Sequence, residues 1–153
     1  MKKINLTQGK YALVDNEDFE YLNQFRWHFS NYYAARKITK DNGKYTSIYM
    51  HRIINNTPEG MDTDHINGDK LDNRKCNLRS CTNSQNHMNR GCQSNNASGY
   101  KGVDWKKAAQ KWRASIKSDG KRRHLGYYDT AEAAHAAYKR EAKISFKEFC
   151  NIN

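Results

Sequence analysis

The chain has 153 residues, a length typical of one ordinary domain or two small ones, which excludes a large multidomain enzyme. Hydrophobic residues make up 37% of it and aromatic residues 12%, with a single proline, so we expect small cores with polar faces rather than wholesale disorder. The 27 Lys and Arg residues outnumber the 16 Asp and Glu residues and give a net charge of +11, which indicates a polyanionic partner.

The sequence predicts neither a membrane span nor a signal peptide. No stretch approaches the roughly 20 consecutive apolar residues of a membrane span, and residues 1–18 lack an apolar run. The four cysteines are too few for a disulfide scaffold. We therefore expect a cytoplasmic protein, in a bacterial or phage-infected cell, whose cysteines are thiols.

The N-terminal part is predicted to be rich in short strands. Strands are expected at 2–7, 10–15, 32–39 and 45–50, and short helices at 15–24 and 51–55. The two later strands flank an Asn-Gly turn, which is typical of a β-hairpin. Residues 1–50 either extend a sheet or add nucleic-acid contacts through Arg36, Lys37, Lys40 and Lys44.

The segment 61–90 predicts a strand, a long loop, a second strand and a helix. Four aspartates lie close together within it, at Asp62, Asp64, Asp69 and Asp72, which points to a metal in an otherwise basic protein. Thr82 and Gln85 have the spacing of a capping box, so the helix is predicted to begin at residue 83.

This segment resembles the HNH nuclease family, whose ββα-metal motif is named after a His, an Asn and a final His or Asn. The matching positions are His65, Asn77 and Asn86. The surrounding Asp-His-Ile-Asn-Gly-Asp run, the Asp-Asn-Arg loop and the Asn-Leu-Arg sequence resemble phage and intron-type HNH homing endonucleases in particular. The His51-Arg52 pair also resembles the His-Arg pair that precedes the motif in those proteins.

The resemblance implies a role for each matched residue. His65 would be the general base that activates water, which suits an imidazole of near-neutral pKa. Asp64 and Asn86 would hold one divalent cation, and Asn77 would brace the loop that holds His65 in place. His51, Arg52 and Arg79 are candidate phosphate contacts.

The nature of the ligands predicts the metal. A carboxylate and an amide oxygen favour Mg²⁺ or Mn²⁺, whereas imidazole ligands would favour Zn²⁺. We therefore expect Mg²⁺, with Mn²⁺ as an alternative and Zn²⁺ disfavoured. Asn86 and His87 lie about 100° apart on a helix, so only one of them can face the metal.

A linker is predicted at 91–98, where Gly, Ser and Asn are abundant and no periodicity is visible. It separates a nuclease domain at 1–90, with the motif core at 49–90, from a second domain at 99–153. Residues 1–97 carry 14 basic and 10 acidic side chains (+4), whereas residues 98–153 carry 13 and 6 (+7). The shorter C-terminal part is therefore the more basic one.

The C-terminal part predicts three antiparallel strands, at 100–105, 111–117 and 122–127, followed by a helix at about 131–147. Alternation in the middle strand places Trp112, Ala114 and Ile116 on an apolar face and charged residues on the other. Nearly all of 98–153 resembles the apetala-two/ethylene-response-factor DNA-binding domain, although plant members usually have Arg at the position of Asp104 and Trp at that of His124.

That resemblance implies a sheet that enters the major groove of DNA. The residues expected to contact DNA are Lys101, Lys106, Arg113, Ser115, Lys117, Arg122 and His124.

The sequence thus predicts an α+β protein with an HNH ββα-metal module, an N-terminal β-rich extension, and a small three-stranded sheet packed on one helix. The predicted function is that of a metal-dependent homing endonuclease that nicks double-stranded DNA, as a monomer or weak dimer. One alternative is a transcriptional regulator with a catalytically inert HNH fold. Another is an RNA-binding protein, in which Trp105 and Tyr127 would stack on bases.

Overall fold

A computed structural model describes residues 1–92, 95–118 and 120–150 of the chain. The strands are β1 (Lys2–Asn5), β2 (Tyr11–Val14), β3 (His28–Ser30), β4 (Tyr33–Thr39), β5 (Tyr45–Tyr49), β6 (Asp62–His65), β7 (Leu78–Cys81), β8 (Val103–Lys106), β9 (Lys111–Ser118) and β10 (Lys121–Tyr128). The helices are α1 (Asn16–Leu22), α2 (Met50–Ile54), α3 (Asn83–Asn89) and α4 (Ala131–Phe146). The mixed α+β class is confirmed.

The contacts divide the chain into two units, Met1–Thr82 and Asn83–Asn153. The division lies at the start of α3, inside the predicted motif core, and not at the predicted linker 91–98. Two residues of that linker, Gln93 and Ser94, lie outside the described residues. So does Asp119, whose Asp-Gly sequence with Gly120 predicts a hairpin turn between the second and third C-terminal strands. No helix within the described ranges is long and apolar enough to span a membrane.

The first unit contains three small antiparallel sheets, in the orders β1-β2, β3-β4-β5 and β6-β7. Alternation along β2 buries Ala12 and Val14, which pack with Ile4, Leu22 and Met50 in the core. Trp27 is buried in the same core, and its indole N–H donates a 2.8 Å hydrogen bond to the Leu22 carbonyl at the end of α1. A buried indole N–H is thereby satisfied.

The predicted hairpin is confirmed as β4 and β5. Its turn closes through a 2.8 Å hydrogen bond from the Lys40 amide to the Lys44 carbonyl, and Gly43 adopts φ +75° there. A glycine accepts this left-handed conformation without a steric penalty. The third strand of this sheet, β3, was not predicted.

The second unit contains the antiparallel sheet β10-β9-β8, which packs against α4. The small residues Ala134, Ala137 and Ala142 on α4 are buried, so the helix approaches the sheet closely. The Thr130 hydroxyl accepts a 3.2 Å hydrogen bond from the Ala133 amide and caps the helix. The predicted apolar face of β9 is confirmed, since Ala114 and Ile116 are buried.

The first strand of this sheet begins at Val103, later than predicted, because residues 100–102 form a turn. The Ser98 hydroxyl accepts a hydrogen bond from the Tyr100 amide, and Gly102 turns the chain at φ +76°. A Cβ at Gly102 would lie 2.2 Å from the Tyr138 ring, so both the conformation and the packing require glycine.

Candidate active site and nucleic-acid interface

The β6-β7 hairpin carries the first residues of the predicted site. Asp64 pairs with Arg79 across the two strands, and His65 pairs with Leu78. Asp64 and His65 are both buried although both are ionisable. Because neighbouring residues on a strand point to opposite faces, each has its own set of partners.

The Asp64 carboxylate contacts the Arg79 guanidinium. Its Oδ2 atom accepts a 2.9 Å hydrogen bond from Nε of Arg79 and lies 2.7 Å from Nη2. Arg79, predicted as a phosphate contact, therefore compensates a buried carboxylate in this structure. A buried carboxylate is tolerated when a cation and hydrogen bonds compensate for its desolvation.

His65 lies against the loop that follows its own strand. Its Nε2 atom is 3.2 Å from Oδ1 of Asn73, which is completely buried. Burial lowers the pKa of His65, although the hydrogen bond to Asn73 and nearby carboxylates oppose the shift. The imidazole is therefore neutral at pH 7, the form in which one of its nitrogens can accept a proton.

Asn77 ties the two ends of that loop together. Its side-chain oxygen accepts a 2.9 Å hydrogen bond from the Asn67 amide, and its Nδ2 donates a 2.8 Å hydrogen bond to the Asp72 carbonyl. The Asp72 side chain in turn accepts hydrogen bonds from Asn67 and Arg74. The loop is also fixed to β2, because the Asn73 amide donates to the Leu13 carbonyl.

Sequence reasoning missed Asn73 as the partner of His65. Asn73 is the central residue of the Asp-Asn-Arg sequence that forms part of the family resemblance, but that resemblance gives it no contact with His65. The pairing depends on how the loop folds back, because eight positions separate the two residues.

Aromatic rings surround the other side of His65. The His51 ring lies 5.2 Å from that of His65, and Tyr33 lies 4.9 Å from His51 and 6.0 Å from His65. Tyr49 stacks on His51 at 5.5 Å. Burial, followed by the proximity of His65 and Arg52, lowers the pKa of His51 to about 3.

Neither member of the predicted His-Arg phosphate contact is presented to solvent as an exposed side chain. His51 is buried in this aromatic cluster. Arg52 is half-buried and donates a 2.9 Å hydrogen bond to the Met61 carbonyl. Both side chains pack the site in this structure.

The second predicted metal ligand, Asn86, lies on α3 in the second unit and is half-buried, whereas the adjacent His87 is exposed. No group of three or more His, Cys, Asp or Glu side chains among residues 1–92, 95–118 and 120–150 is arranged to hold a metal. Carboxylate and amide oxygens are nevertheless ligand types that suit Mg²⁺, since Mg²⁺ keeps several waters and often uses only one or two protein carboxylates. The cysteines in the described ranges are free thiols.

The outer face of the β8-β9-β10 sheet carries most of the predicted DNA contacts. Register places Lys117 beside Arg122 and Ser115 beside His124, and the three charged or imidazole side chains are exposed. Arg113 is engaged by Asp104 through two hydrogen bonds of 3.0 and 3.1 Å, and Lys106 lies 2.9 Å from the same carboxylate. These contacts neutralise part of the face.

Lys101 differs from its prediction as an exposed strand residue. It precedes the strand and is half-buried, and its ammonium donates hydrogen bonds to the carbonyls of Met88, at 2.6 Å, and Arg90. Cations at a helix C-terminus satisfy carbonyls that lack a partner within the helix. Burial lowers the pKa of Lys101.

Tyr127 lies on the outer face of the sheet, as stacking on a base would require. A bulge between His124 and Gly126 shifts the register, so that Tyr127 pairs with Arg113. Its ring is 49% exposed and lies 4.6 Å from the His124 ring. Strict alternation along β10 would have placed it on the helix side.

Comparison with known proteins identifies the family of the segment that carries these residues. The family model described as HNH endonuclease matches residues 56–88, which include the β6-β7 hairpin and its loop. The chain is 28% identical over 149 residues to an uncharacterized HNH endonuclease of Acanthamoeba polyphaga mimivirus, covering 95% of this chain and 76% of that protein. No solved structure matches the chain.

The fold and the matched segment thus define a protein with an HNH endonuclease domain, which confirms that part of the predicted resemblance and supports nuclease activity. The chain is also 32% identical over 94 residues to Protein 3.8 of Escherichia phage T7, covering 60% of this chain and 78% of that protein. It belongs to the family of this phage protein.

Proposed function

We propose that this chain is a metal-dependent HNH endonuclease of the homing type, which hydrolyses a phosphodiester bond in double-stranded DNA. It acts in the cytoplasm of a bacterial or phage-infected cell, nicks one strand as a monomer or weak dimer, and leaves 5′-phosphate and 3′-hydroxyl ends. The observation that carries the proposal is the buried, neutral His65 with its ring 3.2 Å from Asn73. The family resemblance assigns this histidine as the base.

His65 would remove a proton from the water that attacks the scissile phosphate. Burial keeps the imidazole neutral, and Asn73 holds the ring in one orientation. Asn77 positions His65 indirectly. Its side chain forms hydrogen bonds with Asn67 and Asp72 in the loop that carries Asn73.

Asp64 and Asn86 are the proposed ligands of a Mg²⁺ ion, with Mn²⁺ as a substitute. The resemblance assigns β6, β7 and α3 to the ββα-metal module. Bound Mg²⁺ supplies charge stabilisation for the phosphate and the departing oxygen.

The C-terminal unit is proposed to grip DNA as an apetala-two/ethylene-response-factor-like domain. Support comes from the exposed Lys117, Arg122 and His124 on the outer sheet face, opposite the face covered by α4. A three-stranded sheet with a cationic face fits the major groove of DNA, which is about 12 Å wide. Gripping the DNA raises the local concentration of the nuclease domain at the phosphate it cuts.

One observation favours the alternative of a DNA-binding regulator with an inert HNH fold. The Asp64 carboxylate, a proposed metal ligand, is engaged by Arg79. An ion pair at this position competes with metal binding, and a protein that never binds metal would keep it.

Cleavage of supercoiled plasmid distinguishes the two functions. Wild type and His65→Ala, both shown to be folded by circular dichroism, are compared with Mg²⁺ and with EDTA. Nicking that requires Mg²⁺ and falls by at least about a hundredfold in His65→Ala supports the nuclease, given the usual contribution of a general base. Binding of duplex DNA without cleavage under Mg²⁺, Mn²⁺ or Zn²⁺ would support the regulator instead.

A further inference from the structure

The loop between β6 and β7 in the first unit lines part of an aromatic pocket that also contains two lysines. The cavity has a volume of about 430 Å³. Its lining residues are Lys10, Phe29, Tyr32, Gly68, Asp69, Lys70 and Leu71. We call this cavity the Tyr32 pocket.

The pocket is linked to His65 by a short series of contacts. The Lys70 ammonium lies 5.3 Å from the Tyr32 ring centroid and 4.8 Å from that of Tyr33. Tyr33 in turn contacts His65, with ring centroids 6.0 Å apart. A group bound in the pocket would therefore lie close to His65, the proposed base that activates the attacking water.

Tyr32 occupies a backbone conformation that is costly for an aromatic residue. Asn31 and Tyr32 form the two-residue turn between β3 and β4, at φ +48° and +72°. Glycine is strongly preferred at the second position of such a turn. The ring is nevertheless 70% exposed, so it gains little from burial in the core. Strain of this kind at an exposed residue points to a function for the side chain.

The chemistry of the pocket fits a nucleotide. Tyr32 and Phe29 lie edge to face, with centroids 6.3 Å apart, and offer an exposed ring on which a base can stack. Lys10 and Lys70 supply positive charge for the attached phosphate. The single anion of the lining, Asp69, accepts a hydrogen bond from the Leu71 amide, and the two lysines outnumber it.

We propose that the Tyr32 pocket binds one unstacked nucleotide of the DNA substrate, next to the phosphate that is cut. The base stacks on Tyr32, and Lys70 contacts the phosphate. This inference rests on the proposed function, because it takes DNA as the substrate. Its test therefore uses binding without cleavage.

The experiment measures binding by fluorescence anisotropy in a His65→Ala background with EDTA. Three DNA probes share one sequence: a full duplex, the duplex with a three-nucleotide unpaired bubble, and the same bubble with abasic sites. The variants are Tyr32→Gly, which suits the turn conformation, and the matched control Tyr45→Ala, which removes a 78% exposed tyrosine from β5 of the same sheet.

The parent is expected to bind the bubble more tightly than the duplex or the abasic bubble. Tyr32→Gly should weaken binding to the bubble by about tenfold, as expected for loss of one stacked base, while leaving the abasic bubble unchanged. Tyr45→Ala should bind all three probes like the parent. Thermal denaturation should show Tyr32→Gly to be at least as stable as the parent, because glycine relieves the turn.

Two results would overturn the proposal. One is an affinity of Tyr32→Gly for the bubble within twofold of the parent. The other is an equal loss on the bubble and the abasic bubble, since that loss would not involve a base. A wild type that fails to nick plasmid while the Tyr32 effect is present would count against the nuclease function and leave the pocket supported.

Discussion

The guanidinium of Arg79 lies 2.7 Å from the carboxylate of Asp64, between two strands that pair these residues directly. Their side chains are only 16% and 5% exposed. The pair therefore stabilises the β6-β7 hairpin and at the same time occupies an oxygen that the proposed metal would use. The Asp64 carboxylate thus stabilises the hairpin by pairing with Arg79, and the proposed metal would compete with Arg79 for it.

Removal of Arg79 should destabilise the first unit strongly. Arg79→Met leaves Asp64 buried without this cation, and we expect the free energy of unfolding to fall by about 3 kcal/mol. The double variant Asp64→Asn, Arg79→Met should recover much of that loss, because no buried charge remains. Urea denaturation measures the free energy of unfolding of the single and the double variant.

The exposed pair Lys2–Glu20 is the control, and Lys2→Met should lower the free energy of unfolding by less than about 1 kcal/mol. Equal effects of Arg79→Met and Lys2→Met would contradict the argument.

A methyl group at Gly102 should be far more damaging than one at a nearby glycine. Gly102 and Gly99 have similar φ angles, +76° and +70°, but only the first would place its Cβ against the Tyr138 ring and the Ser115 carbonyl. Gly99→Ala should cost about 1 kcal/mol for the left-handed conformation alone. Gly102→Ala should cost about 3 kcal/mol, since overpacking adds to it. Chemical denaturation followed by Trp fluorescence compares them, and equal losses would show that the clash relaxes freely.

Local signals predicted the elements whose hydrogen bonds are local. An Asn-Gly turn between β-rich segments was sufficient for β4 and β5, and strict alternation was sufficient for β9. The order of strand, loop, strand and helix from β6 to α3 was also visible, because each element has its own periodicity or cap. The HNH resemblance then identified the segment that belongs to this family, which the family match at residues 56–88 confirms.

The features that were missed depend on distant residues. The short strand β3 exists because β4 supplies its hydrogen bonds, and its sequence has no pattern of its own. The bulge in β10 between His124 and Gly126 was also not predicted, because strict alternation gives no signal for it. Lys101 was predicted to contact DNA as an exposed position of the first strand, whereas it precedes that strand and its ammonium donates to the carbonyls of Met88 and Arg90.

Acid should destabilise the first unit through His51. Its imidazole is surrounded by Tyr33, Tyr49 and His65, with Arg52 adjacent, and its pKa is lowered from 6.5 to about 3. Between those values the unfolded chain binds a proton at His51 that the folded chain does not. The contribution to stability is therefore complete above about pH 6.5 and is lost as the pH falls toward 3, at up to about 1.4 kcal/mol per pH unit.

The variant His51→Phe tests this linkage, because it keeps an aromatic ring and removes the titrating group. Urea denaturation at a series of pH values from 7 down to 4.5 should give a shallower loss of stability for the variant than for wild type. Some slope should remain, since burial also lowers the pKa of His65. Identical slopes for the two proteins would mean that His51 is protonated in the folded state.

Asp104 should limit the affinity of the outer sheet face for DNA. Its carboxylate engages Arg113 and Lys106, and these hydrogen bonds lower its pKa although desolvation opposes the shift. Asp104→Asn weakens the hold on both cations, so we expect tighter binding to duplex DNA. The slope of log K against log salt should steepen by up to about 2, or about 0.9 for each phosphate newly contacted.

The matched control is Glu141→Gln, which removes the same charge from α4, where Glu141 pairs with Arg123. Anisotropy titrations at several salt concentrations compare the two variants. If both raise the affinity equally, total charge rather than release of Arg113 and Lys106 is the cause, and that result would contradict the proposed role of the outer face in gripping DNA.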